Sequence, residues 1–392
     1  MVKTKRTLMI LFAILFVCVV FFVAFFVLEN YSESIAEPIE TISETEKPTE
    51  PPTEEPTQDP VEQLVDSMTL NEKVAQMIMV SCHEGIDVES ASIYGVGGIC
   101  LYSNSFEEKT KEEVVAMIEG YQQVSPFPML ISVDEEGGTV NRVSTNKNLR
   151  GAQFLSPQEL FEQGGYELIK SDTIEKSQLL LSLGINVNLA PVCDVPLSED
   201  NYIYDRCFSL NHKDTAEYVS TVVQAMKENG MGSVLKHFPG YGGSVDTHES
   251  MSYDDRKYSA FENGDFLPFI SGIENGADCV LVSHNIVTCM DSEKPASLSK
   301  PIHDILRNEL NFDGVIITDD LVMQGIQQFC DGESAALMAV KAGNDMIICE
   351  DYEGAINAIV AQVNEGEIEE ERIDKSVYRI LQWKQNLSLI NT

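Results

Sequence analysis

Eight short apolar, β-branched runs separated by helical stretches predict a closed parallel (β/α)8 barrel of the TIM type for residues 61–392. Three observations carry that expectation. The runs are almost continuously apolar, as strands are when helices cover a parallel sheet. The stretches between them space apolar residues three and four apart, the period of a helix face. Polar side chains gather just past the runs, where such a barrel builds its sites. An open doubly wound sheet is the competing fold. It usually carries a Gly-rich phosphate turn after its first strand, and here that run leads into SCHEGIDVES.

In chain order the runs are QMIMVS (76–81), VGGICLY (96–102), PMLISV (128–133), INVNLAP (185–191), GSVLK (232–236), DCVLVS (278–283), GVIIT (314–318) and DMIIC (345–349). The clearest helical stretches are KEEVVAMIEGYQQ (111–123), TAEYVSTVVQAMKENG (215–230) and ESAALMAVKAG (333–343).

Two segments precede the barrel. Residues 7–28 are an unbroken apolar run of bilayer-spanning length, preceded by Lys3, Lys5 and Arg6. This charge pattern keeps the short N-terminus (1–28 with the span) cytoplasmic and sends the rest outside, as a single-pass cell-membrane anchor. A cleaved signal peptide would show a shorter apolar core and a small-residue cleavage site, which this run lacks. Residues 29–60 are Glu, Thr, Pro and Ser with few large apolar side chains, too little to offset ordering entropy. They read as an extended, disordered tether.

The formal charge is −37, with 63 acidic and 26 basic side chains, which excludes nucleic acid as a natural partner. Nine cysteines are dispersed without C-x-x-C or zinc-like spacing. Cys100, Cys193, Cys279 and Cys349 fall in or beside the apolar runs, where a buried thiol acts as a small hydrophobe. Mostly free, buried thiols are expected.

The chemistry sits at the strand ends. The third run opens into VDEEGGTVNR, with Asp134, Glu135, Glu136 and Arg142; the fourth into APVCDV, with Asp194 and later Asp205-Arg206. The fifth ends in Lys236-His237 and opens KHFPGYGGSVDTHES; the sixth ends at His284, the seventh at Asp319-Asp320, the eighth at Glu350-Asp351. An acid after a strand is often only a helix N-cap, and Asp319, Asp320 and Glu350 each allow that reading. Converging carboxylates, cations and histidines exceed what capping needs. A metal site on His237, His248 and His284 lacks H-x-H or H-x-x-x-H spacing. A Schiff-base role for Lys236 sits poorly beside His237 and many acids. Glycoside hydrolysis needs a carboxylate nucleophile, a proton donor and polar partners for sugar hydroxyls, which is this inventory.

Together VDEEGGTVNR, KHFPGYGGSVDTHES and GVIITDDLVMQGI resemble the exo-acting β-N-acetylglucosaminidases of glycoside hydrolase family 3, over essentially all of 61–392. The resemblance implies a retaining (β/α)8-barrel enzyme without a cofactor or metal. It would remove terminal β-linked N-acetylglucosamine, notably from peptidoglycan fragments. It implies Asp319 as nucleophile, His248 as acid/base and Asp246 as the residue orienting His248. It implies Asp134, Arg142, Arg206, Lys236 and His237 as substrate-binding residues, with less defined roles for His284 and PASLS (295–299). The sequence departs from the family at Tyr241, where many relatives have histidine, and at Thr139, often arginine. A phosphorylase, with phosphate resolving the glycosyl-enzyme, and an inactive membrane-tethered glycan-binding protein are the alternatives.

The residues suit the implied division of labour. A histidine titrating near neutrality gives a proton and later takes one back. Asp246 stands two residues before His248 on a stretch hinged by Gly240, Gly242 and Gly243. His237 stands at a strand end, suited to holding a hydroxyl.

Overall fold

The computed structural model describes residues 59–242, 252–330, 332 and 334–391. The expected anchor at 7–28 and nearly all of the expected tether at 29–60 lie outside the described residues. The folded region opens with the helix Pro60–Ser67, whose Asp59 cap accepts from the Val61 N–H at 2.9 Å.

All eight runs form strands: β1 Ile78–Cys82, β2 Gly98–Leu101, β3 Leu130–Val133, β4 Val187–Asn188, β5 Gly232–Phe238, β6 Cys279–Val282, β7 Val315–Thr318 and β8 Ile347–Cys349. They lie in the order β8-β1-β2-β3-β4-β5-β6-β7, and every pairing is parallel. One further parallel bridge, Ile317 to Met346, joins β7 to the approach of β8 and nearly closes the ring. Every residue of these strands is buried, which is why the runs carry no polar alternation.

β4 is shorter than its apolar run because the chain reaches Pro191, which has no N–H to give the ladder. The segment stays beside β5 all the same. The Ala190 carbonyl accepts from Val234 and the Pro191 carbonyl from Lys236. β5 extends two residues past its predicted end, and its register against β6 shifts between Lys236 and Phe238. That irregularity lets the adjacent residues Lys236 and His237 both line the same cavity.

The helical stretches appear as Lys111–Val124, His212–Glu228 and Ala335–Ala342, started by side-chain caps from Thr110, Asn211 and Ser334. A longer helix, Pro157–Ser182, is broken at Gly165, whose φ of 63° only glycine adopts without strain. Of the eight cysteines among the described residues, only Cys289 is exposed. Burial pushes the Cys100, Cys193 and Cys279 thiols well above their ordinary value, so they serve as packing.

Candidate active site

The loop after β3 is shaped by a residue that never reaches the cavity. Glu135 is fully buried, and its carboxylate accepts from the backbone N–H groups of Arg142, Val143 and Ser144 at 2.8, 2.7 and 3.1 Å. Its own main chain exchanges hydrogen bonds with the Asn188 amide at 3.0 Å each way. These bonds fold the loop back on itself, so that Asp134, Glu136 and Arg142 face one space. Gly137 makes the fold possible: at φ 104° a side chain would be strained, and a Cβ would lie 2.2 Å from the Leu155 carbonyl.

That space is a cavity of about 410 Å³ at the C-terminal ends of the strands, in the size range of small-molecule sites. Asp134, Arg142, Arg206, Lys236, His237 and Asp319 all line it. Six of the eight expected site residues are thus brought together from β3, β5, β7 and the loop after β4. The remaining two, Asp246 and His248, lie outside the described residues.

A chain of buried charge organises the set. Lys236 Nζ sits 2.5 Å from Asp134 Oδ1 and 2.6 Å from Glu136 Oε1. Arg206 grips Glu136 with two bonds, Nε to Oε2 at 3.0 Å and Nη2 to Oε1 at 2.8 Å. The same Nη2 lies 3.2 Å from His237 Nε2. A guanidinium can only donate, so Nε2 accepts and the ring proton sits on Nδ1. Nδ1 then donates to Asp194 Oδ2 at 2.7 Å, while Asp194 Oδ1 accepts the Tyr241 N–H at 2.7 Å.

Burial alone would raise the Glu136 carboxyl; Arg206 and Lys236 outweigh it and hold the group below the usual carboxylate range. Burial likewise works against the Lys236 ammonium, and Asp134 and Glu136 overcome it and raise its value. A Schiff-base nucleophile needs an uncharged amine, and this lysine is kept charged. The Arg142 Nε is buried and lacks a hydrogen-bond partner, a donor left for something that enters the cavity.

Other sequence features are placed elsewhere. His284 is fully buried; its Nδ1 meets Ser297 Oγ at 2.7 Å and its Nε2 lies 3.1 Å from the Asp320 carbonyl. It props the end of β7 from behind, and the PASLS stretch supplies its partner. Asp351, and not the neighbouring Glu350 for which a cap reading is open, caps the helix Tyr352–Asn364 through the Gly354 N–H at 2.9 Å. Thr139 is exposed and does not line the cavity, whereas Tyr241 is buried with its ring 5.1 Å from that of His237.

Sequence reasoning passed over Glu136, Asp194, His83 and Tyr102. The first two stand among the strand-end acids, but spacing cannot tell which of several adjacent carboxylates is paired with a cation. His83 and Tyr102 follow single strands without a motif around them.

Glu136→Gln strips both cations of a shared counter-charge and should destabilise the fold by on the order of 3 kcal/mol near neutral pH. Because the folded carboxyl lies below its ordinary 4.5, its contribution is complete above that pH and lost as the pH falls further. Thermal melting across pH 2.5 to 7 should therefore show, by roughly this reasoning, a shallower acid slope for Glu136→Gln than for the native chain.

Comparison with known proteins places the same region. Residues 69–383 match the model of the glycosyl hydrolase family 3 N terminal domain. A beta-hexosaminidase of Hydrogenovibrio crunogenus is 32% identical over 272 residues, 68% of this chain and 75% of that protein. One of Photobacterium profundum is 34% identical over 277 residues, covering 69% and 80%. Among solved structures, a family 3 β-N-acetylglucosaminidase from Paenibacillus sp. str. FPU-7 superposes with a TM-score of 0.77 at 30% identity. The match covers 83% of this chain and 64% of that one.

Proposed function

The chain belongs to glycosyl hydrolase family 3, and on that basis we propose that it is a retaining exo-β-N-acetylglucosaminidase acting on cell-wall fragments. The observation that carries the reading is the single cavity in which Asp319 faces Asp134, Arg142, Arg206, Lys236 and His237.

In the proposed reaction the terminal sugar enters with its hydroxyls toward the β3–β5 side. Asp134 accepts from them, and Lys236, Arg206 and Arg142 donate. Their mutual pairing fixes the geometry before substrate arrives, which lowers the ordering cost of binding. The Asp319 carboxylate attacks the anomeric carbon as the bond to the aglycone oxygen breaks. His248, oriented by Asp246, gives that oxygen its proton. Water then attacks the anomeric carbon, His248 takes the water's proton, and the bond to Asp319 breaks. Two displacements retain the β configuration.

Activity of the full chain on p-nitrophenyl β-N-acetylglucosaminide tests the reading. Asp319→Asn should lose at least ~1,000-fold in kcat, the scale of a lost nucleophile. His248→Ala should lose less on this substrate than on a natural disaccharide, because nitrophenolate leaves with little protonation. No turnover by the native chain contradicts the glycosidase reading. Glycosyl phosphate formed in phosphate buffer would assign the phosphorylase chemistry instead.

Residues 7–28 and 29–60 are proposed, on sequence alone, as a membrane anchor and tether holding the barrel outside the cell. The full chain should sediment with membranes through a high-salt wash. Release by salt alone contradicts an anchor.

A further inference from the structure

The second acid of ITDDL is held more tightly than a helix cap requires. Asp320 Oδ1 accepts from its own Val322 N–H at 3.1 Å, an ordinary local turn. Its Oδ2 takes three donors from β1 and the residues after β1 and β2: Ser81 Oγ, Tyr102 O–H at 3.0 Å and His83 Nε2 at 3.3 Å. The main chain of the same residue is equally engaged. The Asp320 N–H donates to Asp319 Oδ1 at 2.8 Å, and its carbonyl lies 3.1 Å from His284 Nε2.

Resting on the reading of Asp319 as nucleophile, we propose that His83 is a positioning residue: its bond to Asp320 fixes the N–H that aims the attacking carboxylate. Ser81 is buried and Tyr102 is half-buried at the cavity wall, and both fill space as well as donate. His83 differs. Its side chain is 39% exposed, lines the same cavity as Asp319, and stacks on Tyr102 at 4.1 Å with rings 27° apart. Packing alone would accept any flat ring at this position, and the imidazole adds a donor and a charge.

The groups facing it are Asp320, Glu350, Arg142 and the Tyr102 ring, from the ends of four strands. The hydrogen bond to Asp320 pulls the imidazole above its ordinary value, against partial burial and Arg142, with the charges of Asp320 and Glu350 adding to it. The cationic form therefore persists to a higher pH than that of a free imidazole and is lost as the pH rises through that raised value. With it goes the ionic attraction to Asp320, leaving the neutral ring's N–H to the carboxylate as the remaining tie.

The test is kcat/KM of the full chain on 2,4-dinitrophenyl β-N-acetylglucosaminide against pH. This leaving group needs no proton donor, so the ratio reports attack by Asp319 and is silent to His248. His83→Phe keeps the stack and removes the donor; it should lower kcat/KM by ~10-fold, the order expected from a misaligned attacking group. His83→Gln restores a neutral donor and should recover to within ~3-fold of native. The native alkaline fall in kcat/KM should flatten in both variants. Inhibition by free N-acetylglucosamine should stay within ~2-fold, because Asp134, Lys236 and Arg206 are untouched. Native kcat/KM and an unchanged alkaline fall in His83→Phe would overturn the proposal while leaving the glycosidase reading intact. No turnover by the native chain removes the premise, and the proposal with it.

Discussion

The site depends on the ion pairing of Glu136 with Arg206 and Lys236. Two cations and a carboxylate are buried together, and each alone would cost several kcal/mol to desolvate. They come from three neighbouring parts of the ring: the loop after β3, the loop after β4, and β5 itself. Satisfying one of them therefore fixes the ends of all three. The pairing extends through His237 to Asp194 and the Tyr241 N–H, so the base of the segment that follows β5 is anchored by the same network. Removing Glu136 leaves Arg206 and Lys236 without the carboxylate they share.

What the network leaves open is as informative as what it closes. Asp134 keeps partial exposure beside Lys236, and the Arg142 Nε has no partner. These groups face inward from the β3–β5 side, whereas Asp319 stands across the cavity at the end of β7. A sugar gripped by its hydroxyls on one side presents its anomeric carbon to the other. Electrostatics thus gives the cavity a direction, which a ring of exposed charges would not supply.

Much of this was legible in the sequence, for physical reasons that differ by element. Strands buried on both faces must be apolar throughout, so eight runs marked eight strands, although β4 lost its end to Pro191 and β5 gained Phe238. Apolar spacing marked three of the helices, whereas the side-chain caps that set their starts, Thr110, Asn211 and Ser334, were not read from it. The site residues that contact the cavity were legible because they stand at strand ends in recognisable motifs. The residues that hold those residues were not. Glu135 and Glu136 are neighbours of one type. One ties down backbone and the other pairs cations, and only depth and direction separate them. His284 looked like a further cavity residue and is a buried prop, because both of its nitrogens find partners behind β7. Tyr102 and His83 reach Asp320 across the ring, a contact between distant segments that no local spacing encodes.

The ITDDL pair illustrates how one motif carries two tasks. Adjacent carboxylates in a partly enclosed site repel, and the structure separates them by giving Asp320 its own set of donors. Asp319 is left facing the cavity, with the Asp320 N–H on one oxygen. The central claim is that this carboxylate forms the bond to the sugar. Inactivation of the full chain with 5-fluoro-N-acetylglucosaminyl fluoride, followed by peptide mapping in a mass spectrometer, tests it most directly. One adduct per chain, on the peptide spanning ITDDL and fragmenting to Asp319, is the predicted result. An adduct on Asp320 or on any other acid, or substrate turnover with inversion and no adduct, would contradict it.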